Sequence, residues 1–288
     1  MSHPISRREA VASLAGAVLI GANVGSSLTA AEPKSSSSTT YRHSVCKWCY
    51  KNNSLEEMAA AAKGLGLDSI ELLDPKDFPL LKKYGLTCAL SNGAGPIPNG
   101  FNRRENHEKL VPGFLTRIQE CADAGVPSVI CFSGNRKGQS DEEGLEICTE
   151  GLKKIMGKAE KAGVNVIMEL LNSRVNHADY QCDRTAWGVE LCKRVGSERF
   201  KLLYDIYHMQ IMEGDVIRTI QNNHQYFGHY HTGGNPGRNE IDETQELYYP
   251  AIMRAIKATG FTGFVAQEFI PKRDPLKSLG EAIKICTV

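Results

Sequence analysis

The sequence lacks an excess of charge of either sign. Its 288 residues include 34 lysines and arginines against 33 aspartates and glutamates. Binding to a nucleic-acid backbone depends on concentrated positive charge, so this balance argues against nucleic acid as a partner. Hydrophobic residues make up 41% of the chain and aromatic residues 7%, which is ordinary for a globular protein. The composition therefore predicts a globular protein with a sizeable core and a small-molecule ligand.

A long uninterrupted apolar segment is also lacking. The most apolar stretch, within residues 1–31, is broken by glycines and an asparagine and is too short and weak for a span of roughly 20 residues. It follows Arg7 and Arg8 and precedes small residues, an order typical of a twin-arginine export signal. We predict a periplasmic protein with a polar linker at residues 32–42 and no membrane span after cleavage. A retained N-terminal anchor or a cytoplasmic location is the alternative.

Paired cysteine motifs are nearly absent. Of nine cysteines, only Cys46 and Cys49 are close enough in sequence to suggest a paired site. A structural zinc site usually needs a second Cys or His pair at matching spacing, and none is present. The other cysteines lie in apolar patterns where cysteine behaves as a small hydrophobic residue. We therefore predict buried free thiols, which fits the twin-arginine route because that route carries folded proteins.

Short apolar runs alternate with segments of helical period from residue 43 onward. A helix signal follows the first run, where Ser54 and Glu57 form a capping box. Eight such repeats in about 250 residues predict an α/β fold, a single (β/α)8 TIM barrel over residues 43–288. A doubly wound open sheet is the alternative, but no GxGxxG turn follows the first strand. The predicted strands are 43–49, 68–73, 86–92, 127–134, 164–170, 201–205, 226–231 and 263–268.

A polar residue closes each of the last four predicted strands. These residues are spaced by about one βα repeat, and active sites of such barrels lie at the carboxyl ends of the strands. Buried carboxylates repel each other unless a cation compensates, so the set predicts a divalent metal site. Oxygen-rich coordination favours Mn²⁺, Mg²⁺ or Co²⁺, with Zn²⁺ possible. The alternative is four unrelated residues paired with lysine or arginine; the four are Glu169, Asp205, His231 and Glu268.

Further polar residues surround this set. His208 follows Asp205 by three residues, which predicts a position on the loop just beyond the strand and contact with the substrate; a satisfied surface histidine is the equal alternative. His229 lies on the same side of its strand as His231, one layer deeper, where it supports the metal ligand by a hydrogen bond. Arg238 follows a glycine-rich loop and is predicted to hold substrate by two hydrogen bonds, with a solvated arginine as the alternative. Glu240 either pairs with Arg238 or caps the chain that follows.

The segments MELLN, YDIYHMQ, GHYHTGGNPGRNE and ELYYPAIMRAIKATGFTGFVAQE resemble the hydroxypyruvate isomerase branch of the xylose isomerase-like barrel superfamily. The resemblance covers nearly all of residues 43–286 and implies that the four strand-end residues bind a divalent ion. His231 stands where hydroxypyruvate isomerases often have glutamine and sugar epimerases have histidine. Residues in the segments that replace the usual pocket loops have no assigned role. Each of them either lines the pocket or belongs to the packing or the solvated surface, and these alternatives are equal. They include Trp48, Phe101, Arg103 and Arg104.

The resemblance and the two glutamates together predict an enzyme. Glu169 and Glu268 are the candidate base and acid, which move a proton between neighbouring carbons through an enediolate. The predicted reaction converts hydroxypyruvate to tartronate semialdehyde, in a chain that can form a homo-oligomer. The alternatives are a ketose 3-epimerase or aldose-ketose isomerase, and a non-catalytic exported sugar-binding barrel. An endonuclease-like barrel would need more metal ligands and a basic groove, and neither is evident.

Overall fold

The computed structural model describes residues 41–288. The predicted export signal and nearly all of the predicted linker lie outside the described residues. No helix within residues 41–288 has the length and apolar character needed to cross a membrane.

Seven parallel strands of the described residues form one curled sheet. Its order is β2-β1-β7-β6-β5-β4-β3, so chain neighbours lie side by side and β1 pairs with the last strand, β7. This arrangement confirms the predicted barrel, because a strand pair between the first and last repeats is what closes one. The strands are β1 (Arg42–Cys46), β2 (Ser69–Glu71), β3 (Ser128–Cys131), β4 (Asn165–Glu169), β5 (Phe200–Asp205), β6 (Phe227–Thr232) and β7 (Phe264–Gln267).

The third predicted strand, residues 86–92, is not a regular strand, and the prediction of one is wrong. The segment meets β2 through a bridge between Ser69 and Thr87 and meets β3 through a bridge between Ser91 and Val129. Between these points it bends, and the backbone N–H of Ala89 donates to the Ser69 hydroxyl at 2.8 Å instead of to a strand. The segment therefore spans the gap between β2 and β3 with bridges rather than with a continuous ladder.

Helices separate the strands and cover the outside of the sheet. Ser54 caps α1 as predicted, because its hydroxyl accepts from the Glu57 N–H while the Glu57 carboxylate accepts from the Ser54 N–H. Gly163 ends α4 in the left-handed conformation at φ +69°. The helices are α1 (Leu55–Gly64), α2 (Phe78–Lys83), α3 (Arg104–Ala124), α4 (Asp141–Ala162), α5 (Thr185–Val195), α6 (Ile206–Met212), α7 (Val216–Asn223), α8 (Tyr249–Ala258) and α9 (Pro275–Cys286).

Apolar side chains fill the inside of the barrel below the polar end. Leu90, Ile130, Ile167 and Leu203 form a small buried cluster contributed by successive repeats. A separate and larger core packs the helices against the outer face of the sheet. Side chains two positions apart on a strand point to the same face, so the residues two positions beyond Ile167 and Leu203 also point inward. The apolar cluster therefore forms a floor beneath the carboxyl ends of the strands.

Candidate active site

The four predicted metal ligands converge at the carboxyl end of the sheet. Glu169 ends β4, Asp205 ends β5, His231 lies in β6 and Glu268 directly follows β7. Asp205 pairs in register with His231, which in turn pairs with Ala266. Their ligand atoms all lie within 4.8 Å of one another, and all four residues are buried. Residues spaced along the sequence by one repeat thus form one cluster, which we call the carboxylate cluster.

The electrostatics of this cluster suit a divalent cation. Burial, and then the charge of Glu268, raise the pKa of Glu169 well above its usual value. Burial also raises the pKa of Asp205 to about 6, although the charge of Arg238 acts in the opposite direction. Both shifts show that negative charge is poorly solvated here. Three carboxylates and one imidazole around one point form a donor set that a divalent ion satisfies, so these four residues would hold it.

His231 presents its Nδ1 atom to the carboxylates. Nδ1 lies 2.7 Å from Glu268 Oε2 and 3.8 Å from Glu169 Oε1. Burial disfavours a charged ring, but the charge of Glu268 outweighs it and raises the pKa of His231 well above its usual value. The charges of Arg238 and His231 likewise overcome burial and hold the pKa of Glu268 well below its usual range. Glu268 is therefore an ionised carboxylate with cationic partners on two sides.

Arg238 lies inside the carboxylate cluster rather than above it. Its Nη2 atom donates to Asp205 Oδ2 at 2.9 Å and to Glu268 Oε2, while Nε donates to the Glu268 carbonyl oxygen at 3.1 Å. Its Nη1 atom lies 2.7 Å from His208 Nε2. These contacts engage four of the five guanidinium N–H groups with residues 41–288. One N–H remains for a substrate in this arrangement, and the clamp with two hydrogen bonds stays a prediction.

The loop before Arg238 explains this position. Arg238 itself has a left-handed backbone at φ +57°, a conformation that costs energy for a residue other than glycine. The Arg238 N–H donates to the Gly234 carbonyl oxygen at 2.8 Å, and Gly234 also bridges to Asn239. A Cβ atom on Gly234 would lie 2.2 Å from the Glu240 carbonyl oxygen. Glycine is therefore required for the tight turn that directs the guanidinium inward.

The spacing of His208 from Asp205 predicts a position on a loop, but His208 lies in α6. Asp205 caps this helix by accepting from the His208 N–H at 3.0 Å. Burial, and then the charge of Arg238, lower the pKa of His208 well below its usual value. A neutral imidazole is therefore held beside Arg238, at the edge of the space in which a substrate would lie.

His229 supports His231 indirectly, through a residue that the sequence analysis did not identify. Glu71 Oε1 lies 2.8 Å from His229 Nε2 and 2.9 Å from His231 Nε2. Burial alone would raise the pKa of Glu71, but the charge of His229 and the hydrogen bonds from both rings lower it to about 2. Glu71 ends β2 just as Glu169 ends β4. The predicted strand continues to residue 73, so Glu71 lies inside it, and the rule that finds strand-closing residues does not identify Glu71.

A cavity of about 580 Å³ opens onto the carboxylate cluster. Glu169, His208, Arg238 and Glu268 form its polar end, and much of the remaining wall is apolar. Its volume lies within the range typical of small-molecule sites. The other lining residues are Trp48, Leu72, Asp74, Asn92, Gly93, Gly95, Ile97, Ile130, Phe132, Leu171 and His177.

Comparison with known proteins agrees with this geometry. A family model described as Xylose isomerase-like TIM barrel matches residues 59–286. The chain belongs to this family. The prediction of a xylose isomerase-like barrel, made from its strand-end residues and the motifs around them, is confirmed.

Curated relatives in the family are isomerases. The chain is 28% identical over 243 residues to 2-oxo-tetronate isomerase of Cupriavidus necator, which covers 80% of this chain and 93% of the relative. It is 27% identical over 226 residues to hydroxypyruvate isomerase of Escherichia coli, covering 72% and 84% of the two chains. These relatives and the family model identify the chain as an isomerase acting on a small molecule.

Solved structures show the same fold. The crystal structure of AP endonuclease, family 2, from Brucella melitensis superposes with a TM-score of 0.74 at 24% identity, covering 83% of this chain and 96% of that one. At this level of identity the likeness describes the barrel and not its chemistry.

Within residues 41–288 Glu240 has no hydrogen bond to Arg238, and its carboxylate binds a later segment of the chain instead of the residues directly after it. Its Oε1 atom accepts from the backbone N–H groups of Lys272 and Arg273 at 2.9 and 3.0 Å and from the Ser278 hydroxyl at 3.0 Å. These contacts hold the connection between β7 and α9. Glu240 therefore supports the chain that follows Glu268, and it lies outside the carboxylate cluster.

Trp48 reaches the cluster from the N-terminal half of the chain. Its Nε1 atom donates to Glu268 Oε1 at 2.7 Å, and its ring lines the cavity. The other residues with an open role do not line it. Phe101 is fully buried, Arg104 pairs with Glu150 on the outer surface, and Arg103 donates to a loop carbonyl oxygen.

Proposed function

We propose that this chain is a divalent-metal-dependent isomerase that moves a proton between neighbouring carbons of a small hydroxycarbonyl acid, with hydroxypyruvate as the favoured substrate and tartronate semialdehyde as its product. The observation that carries the proposal is the pair Glu169 and Glu268. Both carboxylates face the same cavity, and both belong to a cluster whose ligand atoms lie within 4.8 Å of one another. A site that only bound sugar would not need two such groups.

Different residues of the chain have separate roles in this reaction. A divalent ion held by the cluster supplies Lewis acidity, which polarises the substrate carbonyl and makes the adjacent C–H more acidic. One of the two glutamates removes that proton and the other delivers a proton to the neighbouring carbon, while the hydroxyl proton of the first carbon passes to the former carbonyl oxygen. Arg238, with one free N–H, and the neutral His208 orient the substrate oxygens from the side of α6. The apolar cavity wall limits the access of water to the enediolate, while the glutamate that delivers a proton takes it from solvent between turnovers.

The relatives support an acid as substrate, since they are hydroxypyruvate and 2-oxo-tetronate isomerases. The cavity supports a second candidate, a ketose 3-epimerase or aldose-ketose isomerase. A volume of about 580 Å³ equals roughly 19 water-sized volumes of about 30 Å³. A three-carbon acid fills less than half of that space, which leaves room for a ketose.

The experiment combines metal analysis with solvent exchange. Wild-type protein and Glu169→Gln are loaded with Mn²⁺, desalted and analysed for metal, then incubated with hydroxypyruvate or a ketose in deuterated water. We expect near one ion per wild-type chain, deuterium in one substrate, and loss of both in the variant. The exposed Glu150→Gln is the matched control, because Glu150 pairs only with surface residues. Wild-type protein that binds no Mn²⁺, or that binds it without exchanging any substrate proton, would refute the proposal.

A further inference from the structure

Glu71 is a buried carboxylate that the proposed reaction does not use. It is fully buried, and neither it nor His229 lines the cavity. A substrate in that cavity therefore contacts Glu169, Arg238 or Glu268 but not Glu71. Any influence of Glu71 on the reaction must pass through a residue that it touches.

The imidazole of His231 connects Glu71 with the carboxylate cluster. Nε2 of His231 lies 2.9 Å from Glu71 Oε1, while Nδ1 of the same ring lies 2.7 Å from Glu268 Oε2. The two nitrogens of one ring thus face opposite partners. An ionised carboxylate only accepts hydrogen bonds, so Glu71 requires a proton on Nε2. With that proton committed to Glu71, Nδ1 shares the second proton of the charged ring with Glu268, and Nδ1 is the nitrogen that can give up its proton when a cation binds.

We infer that Glu71 is a positioning residue, which fixes the ring of His231 with Nε2 protonated and Nδ1 turned towards the carboxylate cluster. His229 takes part from the other side, because its Nε2 donates to the same Glu71 oxygen at 2.8 Å. The rings of His229 and His231 stand nearly perpendicular, with centroids 5.1 Å apart. Glu71 is therefore held between two rings and cannot swing away from either without losing a charge-assisted hydrogen bond.

Geometry argues against reading this group as a second cation site. Cys46 Sγ, the nearest soft donor, lies 3.7 Å from His231 Nε2 and 3.9 Å from Glu71 Oε1, which are hydrogen-bond distances for sulfur. The contacts of Glu71 with both rings are likewise ordinary N–H···O bonds. Burial also raises the pKa of Cys46 well above its usual value, which keeps the sulfur a neutral thiol and a weak ligand.

The test uses Glu71→Gln beside Ser69→Ala. Glutamine keeps the volume of Glu71 and can keep the oxygen that both rings contact, but it removes the negative charge, so its bonds to the two ring N–H groups are no longer charge-assisted. Ser69 lies on the same strand, is equally buried and also loses a hydrogen bond when changed, but it contacts Ala89 and not His231. Effects that come only from a weakened β2 appear in both variants. Effects on His231 appear in Glu71→Gln alone.

Two readouts are compared in the full chain. Titration calorimetry with Mn²⁺ measures affinity, and the visible absorption of bound Co²⁺ reports ligand geometry. Loss of a group that orients a metal-binding histidine typically costs about 10- to 100-fold in affinity. We expect that loss and an altered Co²⁺ spectrum in Glu71→Gln, with Ser69→Ala within twofold of wild type. Equal affinities and spectra for wild type and Glu71→Gln would overturn the inference.

The inference rests on the proposed cation site only for the expected loss of Mn²⁺ affinity. Nuclear magnetic resonance without metal therefore distinguishes a failure of the inference from a failure of the proposed function. A protected imidazole N–H of His231, exchanging slowly with solvent in wild type and rapidly in Glu71→Gln, supports the role of Glu71. Wild-type protein that shows this protected proton but binds no Mn²⁺ refutes the proposed function and leaves the positioning intact. Absence of a protected His231 proton in wild type overturns the positioning itself, and it does so even if Glu71→Gln fails to fold.

Discussion

Trp48 gives the most direct quantitative test of how the site is organised. Its indole N–H donates to Glu268 Oε1 at 2.7 Å, and Trp48→Phe removes this donor while keeping an aromatic wall for the cavity. A hydrogen bond to a charged group contributes roughly 1.5–3 kcal/mol. The Trp48 residue is 37% exposed, so water partly replaces the lost bond and the lower figure applies. Because about 1.4 kcal/mol corresponds to tenfold in rate, we expect kcat/KM to fall about 10-fold.

The assay is deuterium exchange into the substrate that the wild-type enzyme turns over, measured with Mn²⁺ in excess. Trp187→Phe is the matched control, because Trp187 is also an indole that donates a hydrogen bond, at 3.2 Å to the Asp141 carbonyl oxygen, but it lies outside the cavity. We expect Trp187→Phe to change thermal stability and leave kcat/KM within twofold of wild type. A Trp48→Phe enzyme with wild-type kcat/KM would show that Glu268 does not depend on the indole for its orientation.

Three further predictions concern the scaffold. In α4, Gly151→Ala places a Cβ atom 2.5 Å from His107 Nε2 and should destabilise the fold by about 1–3 kcal/mol. In the same helix, the Cβ atom of Gly157→Ala meets nothing within 4 Å, so this variant should be more stable than wild type by about 0.5–1 kcal/mol. Thermal melts that rank the two variants in the opposite order contradict this account. Ser54→Ala removes the cap of α1 and should cost about 1 kcal/mol in denaturant unfolding, and an unchanged midpoint would show that the cap is dispensable. All nine cysteines are buried free thiols, and burial raises their pKa values, for example that of Cys192 to about 12. A thiol reagent at neutral pH should therefore label none of them rapidly in the native protein and all nine after unfolding. Rapid labelling of the native protein would contradict the burial.

The sequence contained enough information for the repeat pattern and for the residues that follow it. Glu169, Asp205 and His231 were identified because each ends an apolar run, and parallel strands bring such ends to one edge. The prediction of a strand at residues 86–92 is wrong for this irregular segment. Its apolar pattern is the same whether its backbone groups form hydrogen bonds with a neighbouring strand or with a side chain such as that of Ser69. Apolar periodicity reports which side chains are buried, and it does not report where the backbone hydrogen bonds go.

The contacts that set the chemistry were harder to predict, because they connect distant parts of the chain across a closed barrel. Glu71 and His231 are 160 residues apart in sequence, and Trp48 and Glu268 are 220 apart. No local pattern pairs such residues. Pairing of β1 with β7 brings the first repeats beside the last, so that Trp48 reaches Glu268 and Glu71 meets both imidazoles of β6. Strand ends thus determine which residues can meet a cation, while closure of the barrel determines how those residues are oriented. Variants in the first two repeats should therefore alter metal affinity and turnover even though the repeats supply none of the four ligands.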